Sequence, residues 1–204
     1  ILFRILPKEL AAETFVEMDS DEQELLINAF SERELHDVVE ELFVDDAVDI
    51  IEEMPANVVK RILRHTDSEM RNSINEILRY PKDSAGSIMT TEYVSLKKDM
   101  TVSEAFDRIR RTGVDKETIY TCYVTDTDRK LIGLVTVKEL LLSPYNTVIN
   151  TIMEKNIISV ETLDDKEEVA NMFDKYDFMS LPVVDKENRL VGIVTFDDAI
   201  DVIQ

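Results

Sequence analysis

The groups best able to do chemistry in this 204-residue chain are carboxylates, and they crowd into FVDDAVDIIEE at 43–53. Val44, Ala47, Val48, Ile50, Ile51 and then Met54 recur at helical spacing, which predicts one buried stripe. The opposite face holds Asp45, Asp46, Asp49, Glu52 and Glu53, with no lysine or arginine among them. Like charges three or four residues apart destabilise a helix by about 0.2–0.5 kcal/mol per pair. Such a face suits a hard cation, which takes oxygen ligands and, when small, keeps several waters and needs one or two carboxylates. A plainer role is open for Asp45 and Asp46: at a helix start the macrodipole stabilises carboxylates by about 0.3–1 kcal/mol.

Other chemistry is scarce. His36 and His65 lie 29 residues apart with no Cys or second His beside either, so their spacing does not read as a zinc site. Cys122 sits in a β-rich run and reads as a buried apolar residue. No signature pairs a nucleophile with a base. Four glycines are too few for a P-loop or dinucleotide fingerprint. We expect no enzyme.

The formal charge of −20 argues against nucleic acid and anionic membrane surfaces, and favours metal cations or basic proteins. A single cysteine excludes an internal disulfide framework and suits a reducing compartment. No apolar run approaches the roughly 20 residues of a spanning helix, and no signal peptide is recognisable. The chain starts without Met and stops inside an apolar helical pattern (Ala199, Ile200, Val202, Ile203), so it reads as a piece of a longer protein.

These carboxylates must be carried by elements of two kinds. Residues 7–78 repeat with a period of 12: PKELAAETFVEM, DSDEQELLINAF, SERELHDVVEEL, FVDDAVDIIEEM, PANVVKRILRHT and DSEMRNSINEIL. Each opens mostly on Asp, Ser or Pro, which suit a helix start, and carries its apolar residues late. This predicts a right-handed or superhelical array of short helices, one per repeat, over 1–86. The second half repeats differently. LIGLVTVKELL (131–141) matches LVGIVTFDDAI (190–200) at an offset of 59, and MTTEYVSLKKDMTVSEAFDRI (89–109) resembles MEKNIISVETLDDKEEVANMF (153–173) at an offset of 64. The first copy thus holds about five extra residues near 113–120. Each copy reads as an extended segment, a helix, two strands around a polar turn, and a closing helix that Thr136 or Thr195 can cap. The expected fold is therefore multidomain, α then α/β, with β-α-β-β-α modules over 87–148 and 149–204.

The closing motifs, Gly133-Leu-Val-Thr136-Val-Lys-Glu139 and Gly192-Ile-Val-Thr195-Phe-Asp-Asp198, resemble those of tandem CBS domains, and Leu181-Pro182-Val183 fits the same pattern. RYPKDSAGSIMTTEYV (79–94), joining a short-helix array to such a pair, is similar to the cytosolic portion of the MgtE family of magnesium channels and transporters. YDFMSLPVVD (176–185) and GIVTFDDAIDVI (192–203) add to the likeness, which covers essentially the whole chain.

The resemblance implies a homodimeric Mg²⁺ channel whose cytoplasmic helical domain and CBS pair sense Mg²⁺. Ions bound between these domains favour a compact, pore-closing state. The membrane pore would be covalently continuous with this region, at the cytoplasmic face of the membrane, and absent from the residues in hand. Matching motifs, rather than spacing, implies Mg²⁺ ligands at Glu13, Asp45, Asp49, Asp165, Glu167, Asp177, Asp198 and Asp201, for several ions. Asp165 also suits a plain helix cap, and Asp198 and Asp201 suit a solvated face. ATP is the second ligand implied, through Thr136, Glu139, Phe178, Pro182 and Thr195. The first copy departs from the pattern: Glu139 stands for Asp, and Tyr123 occupies the place of Pro182. Two other classes fit the residues: a free-standing CBS nucleotide sensor regulating a separate enzyme, and an acidic helical scaffold for basic partners.

Overall fold

The computed structural model describes residues 2–176 and 178–203, with only the backbone described for Leu2 and Arg4. The chain divides into two compact units, 1–78 and 79–204.

After a 3-10 turn at Leu2–Ile5, the described residues of the first unit form α1 (Lys8–Val16), α2 (Ser20–Ala29), α3 (Glu32–Val39), α4 (Val44–Glu53), α5 (Ala56–Ile62) and α6 (Ser68–Ile77). Their first residues fall twelve apart throughout, so the 12-residue period is one helix plus its connection. The starts are set locally. Asp19, Ser31 and Asp67 accept hydrogen bonds from the backbone N–H three residues on, and Ser31 forms a reciprocal capping box with Glu34. Pro7 and Pro55 precede α1 and α5. α1 packs on α3, α4 on α6, and both α2 and α3 on α5. Ile27, Leu35, Ala47, Ile62, Ile74 and Ile77 are fully buried. Each such Leu or Ile contributes about 1.5–3 kcal/mol.

One basic side chain ties three of these helices together. Arg61 donates to the carbonyls of Ile27 and Phe30 (2.6 Å), which close α2, and to Glu32 Oε1 (2.9 Å) at the start of α3. Its planar fork serves carbonyls that the end of a helix leaves without partners.

In the second unit, β1 (Tyr93–Lys97), α7 (Val102–Thr112), β2 (Thr118–Thr125), β3 (Leu131–Thr136) and α8 (Val137–Leu142) make the first module. After α9 (Ile149–Ile152), the second comprises β4 (Val160–Glu161), α10 (Lys166–Tyr176), β5 (Ser180–Val184), β6 (Leu190–Thr195) and α11 (Phe196–Ile203). The sheets run β1-β2-β3 and β4-β5-β6, each with a parallel first pair and an antiparallel second pair. The five extra residues of the first copy form a 3-10 turn at Gly113–Asp115 and lengthen β2. The extended segment expected to open the second copy is short: Ile157 and Ile158 lie outside β4, and Ile157 packs into the core that the two modules share.

The lead-in to each module lies on the other module. Residues 83–86 strap the loop before α10: Ala85 N–H donates to Asp164 O (2.8 Å), Gly86 N–H to Thr162 O (2.9 Å), and Lys166 N–H to Asp83 O (3.1 Å). Residues 147–150 strap the loop before α7 at the matching positions: Ile149 N–H to Met100 O (2.8 Å), Asn150 N–H to Lys98 O (2.9 Å), and Val102 N–H to Thr147 O (2.9 Å). Farther along, Thr90 pairs with Ile193, and Glu154 with Leu134. The exchange explains the glycine of each closing motif. A Cβ on Gly192 would stand 2.6 Å from Met89 Sδ, and one on Gly133 would stand 2.6 Å from Met153 Sδ. These glycines make room for the other module's methionine. Residues 79–86, read with the helical half on sequence, fall in the second unit, and 83, 85 and 86 hydrogen-bond to its second module.

Candidate functional site

On α4 the apolar stripe is buried as expected, with Val44, Ala47, Val48, Ile50, Ile51 and Met54 all inside. Asp45 is also buried, at 8 % exposure, although it is a carboxylate in the first turn. Its Oδ1 accepts the Asp46 N–H at 3.0 Å. Asp49, one turn on, is exposed, as are Glu52 and Glu53. Burying a carboxylate is costly unless charge or hydrogen bonds compensate, so Asp45 is the member of this group whose position the fold constrains most. Glu13 is exposed on α1. Because α1 packs on α3 and α4 on α6, Glu13 and the Asp45–Asp49 pair stand on different helix pairs.

In the second unit, Asp165 Oδ1 accepts the N–H groups of Glu167 (2.9 Å) and Glu168 (3.2 Å), capping α10. The helix-cap reading of Asp165 therefore holds in this structure. Glu167 is exposed in the first turn of α10. Asp198, half-buried, and Asp201, exposed, share α11. Asp177 lies outside the described residues.

Of the positions expected to meet a nucleotide, Thr136, Glu139 and Thr195 are arranged at helix starts. Thr136 caps α8 in a reciprocal box: Glu139 Oε2 accepts from Thr136 N (2.8 Å) and Oγ1 (3.0 Å). Thr195 Oγ1 donates to Asp198 Oδ2 at 2.5 Å, while its N–H reaches the same oxygen at 3.4 Å. Phe178 packs with Phe173 and Tyr176, and Phe173 also touches Phe196. Pro182 is buried in β5 opposite Ile193. Its counterpart Tyr123 is fully buried, and its hydroxyl bonds Ser180 Oγ across the module seam at 2.8 Å. Burial pushes the Tyr123 hydroxyl pKa up, so it stays protonated.

The MgtE intracellular N domain family matches residues 1–83, and the CBS domain family matches residues 85–144 and 149–204. The crystal structure of the cytosolic domain of the Mg²⁺ channel MgtE in complex with ATP superposes with a TM-score of 0.92 at 38% identity, covering 98% of this chain and 82% of that one. The chain belongs to the MgtE family. The magnesium transporter MgtE of Thermus thermophilus is 38% identical over 208 residues, which take in 100% of this chain and 46% of that protein. A second crystal structure, of the soluble part of a magnesium transporter, superposes with a TM-score of 0.90 at 33% identity, covering 99% of this chain and 80% of that one. The chain thus spans about half the length of that MgtE relative, and over nearly its whole length it matches the solved cytosolic domain of an MgtE channel. No helix among the described residues is long and apolar enough to cross a membrane.

Two features of this MgtE-type chain escaped sequence reasoning. Glu92 and Glu117, both half-buried, each bring a carboxylate oxygen within 4.8 Å of the other at the start of β1 and β2. They lie 25 residues apart, and Glu117 follows the extra segment that the second copy lacks, so neither repeat nor spacing pairs them. The other concerns the histidines. His36 and His65 come together despite their separation, with ring centroids 5.8 Å apart. The packing of α3 on α5 brings them side by side with their planes tilted by 41°, a proximity that their spacing in sequence does not show. His65 Nε2 is engaged by Glu32 Oε2 at 3.0 Å. Arg61 first, and then His65, hold the Glu32 carboxyl below its usual range.

Proposed function

We propose that this chain is the Mg²⁺-sensing regulatory region of a magnesium channel or transporter, non-enzymatic and sited at the cytoplasmic face of the membrane. The observation that carries the reading is α4 of the N domain. It presents Asp45, Asp46, Asp49, Glu52 and Glu53 with no basic residue, in a chain of formal charge −20. Acidic units repel one another until divalent ions neutralise them. Ions that take ligands from both units favour a compact state by mass action, because they bind that state better. Glu13, Asp45, Asp49, Asp165, Glu167, Asp177, Asp198 and Asp201 are the proposed ligands, and compaction is the proposed signal to close a pore. Their oxygen chemistry suits Mg²⁺.

The proposal extends to a homodimer. The closing helices leave large apolar side chains in water: Leu141, Leu142 and Tyr145 at the end of the first module, and Phe196 and Ile203 on α11. Large apolar side chains exposed at the end of each module are candidates for an association surface.

Small-angle scattering in chelator and in millimolar Mg²⁺ tests the sensor. Mg²⁺ is expected to shrink the radius of gyration, and Asp49→Asn to raise the Mg²⁺ midpoint about tenfold, or about 1.4 kcal/mol. Equal dimensions in both conditions sink the reading. A second ligand reading has its own support: the relative solved with ATP matches over nearly the whole chain. Phe173, Tyr176, Phe178 and Phe196 form an aromatic group, and Phe196 directly follows Thr195, whose hydroxyl bonds Asp198. Calorimetry with ATP, with and without Mg²⁺, decides it, and a silent titration removes ATP.

A further inference from the structure

Glu32, His36 and His65 make a mixed nitrogen and oxygen cluster in the N domain, and neither the Mg²⁺ reading nor the nucleotide reading uses it. Glu32 opens α3 and His36 stands four residues on, so both lie on one face of that helix. His65 arrives from the turn that follows α5, which packs on α3. That turn is held in place: the His65 N–H donates to Ile62 O at 2.8 Å, and Arg71 Nη2 donates to Leu63 O at 2.7 Å and to Thr66 O at 2.9 Å. The His65 side chain is 16% exposed against 63% for Glu32, so the imidazole is set into the fold while solvent and its ions reach the carboxylate.

The distances come close to those of a metal-binding set. Two ligands on a tetrahedral ion, each roughly 2.0–2.1 Å from it, stand about 3.3 Å apart. Glu32 Oε2 and His65 Nε2 are 3.0 Å apart. Two imidazoles on one such ion hold their ring centres about 5 Å apart, and those of His36 and His65 are 5.8 Å apart. His36 is exposed, so its ring has room to turn and bring a nitrogen to an ion that Glu32 and His65 share. Arg61 orients the carboxylate. It donates to Glu32 Oε1 at 2.9 Å, which leaves Oε2 directed at His65. Arg61 first, and then His65, hold the Glu32 carboxyl below its usual range, which keeps it ionised. Ligating carboxylates are commonly fixed by an outer hydrogen bond of this kind. The guanidinium charge also opposes a cation, so the third ligand, His36, decides whether the ion is held. The single thiol of the chain, Cys122, is buried in the second unit and offers no competing donor.

We propose that Glu32, His36 and His65 bind one borderline divalent cation of the Zn²⁺ class, which clips α3 to the turn after α5. Imidazole nitrogen suits such cations, whereas Mg²⁺ keeps to oxygen ligands and water. A set of two histidines and one glutamate leaves the fourth position to water. The site lies within the N domain and is separate from the carboxylates of α4 and of the CBS pair, so it stands or falls apart from the Mg²⁺ reading.

Zinc chloride titrated calorimetrically into the whole chain under excess Mg²⁺, which competes at oxygen-only sites, tests it. NMR of the imidazole nitrogens reads the ligands directly, and the chain has two histidines, so the spectrum holds two rings. The tightest site is expected to take one Zn²⁺ per chain and to shift both rings together. His36→Ala changes an exposed side chain and should melt as the parent does in chelator, yet weaken Zn²⁺ binding by about tenfold or more. Zn²⁺ binding that leaves both imidazole signals in place puts the ion on carboxylates and overturns the site. A shift of one ring alone, or an unchanged affinity in His36→Ala, overturns the shared ligation. Absence of Zn²⁺ binding under excess Mg²⁺ overturns the proposal outright.

Discussion

Replacing Gly192 with alanine puts the exchanged lead-ins to a quantitative test. The new Cβ would meet Met89 Sδ at 2.6 Å, Met89 Cγ at 2.9 Å and Thr90 O at 2.8 Å, where ordinary contacts begin at 3.4 Å. The methionine is wholly buried. The carbonyl is fixed by a two-way pair of hydrogen bonds with Ile193, at 2.8 and 2.9 Å. Relieving the carbonyl contact means moving backbone by about 0.6 Å, the difference between 3.4 and 2.8 Å, which strains that pair. Overpacking costs about 1–3 kcal/mol, and a weakened backbone hydrogen bond adds about 0.5–1.5 kcal/mol. The stiffer unfolded chain returns about 0.4–1 kcal/mol. The net expectation is a loss of about 2 kcal/mol. Gly133→Ala should lose about 1 kcal/mol, the low end of the overpacking range, because its clash is with the half-exposed Met153 and its nearest backbone atom, Glu154 O, is 3.2 Å away. Urea unfolding followed by circular dichroism measures both. In a thermal scan the Gly192 variant should melt about 4–8 °C lower. Truncating the methionine should rescue Gly133→Ala nearly fully but Gly192→Ala only in part, since Thr90 O remains. Equal costs at the two sites, or no coupling to either methionine, would refute the reasoning.

Two further outcomes follow from Arg61 and from Cys122. Arg61→Met should destabilise the N domain by about 2–3 kcal/mol by leaving the Ile27 and Phe30 carbonyls and Glu32 without their donor; Arg61→Lys should recover little, since an ammonium cannot span the fork, and the Glu32 carboxyl pKa should rise in both variants by NMR titration. Burial pushes the Cys122 thiol pKa up to about 12 from its ordinary 9.0, so the folded state holds the proton more tightly than the unfolded state does. Its contribution to stability is therefore complete below pH 9 and is lost as pH climbs from 9 towards 12; iodoacetamide at pH 8 should leave Cys122 intact in the folded chain and label it in urea, and rapid labelling without urea would contradict its burial.

The candidate site was legible where its signal is local. The acidic face of α4 and its buried stripe follow from positions three and four residues apart. The threonines at 136 and 195 read as helix starts because the acid that answers each stands three residues on. Glu92 with Glu117, and His36 with His65, were not legible: each pair joins through the packing of elements distant in sequence, and no short-range periodicity encodes that. Tyr123 shows the limit from another side. The repeat aligned it with Pro182 as a departure from pattern, but its bond to Ser180 depends on how two sheets face each other.

What the sequence determined by itself was the grammar of the elements. Six helices starting twelve residues apart, and a β-α-β-β-α module used twice, each rest on caps and apolar spacing that act within one or two turns or strands. The tertiary structure alone decided who holds whom. It gave residues 79–86 to the second unit and laid each module's lead-in on the other. It also turned two motif glycines into space for the other module's methionine. Those outcomes depend on hydrogen bonds and contacts between residues about 20 to 100 positions apart. At such separations the backbone donors and acceptors of any residue type are interchangeable, so only the folded chain selects the partners.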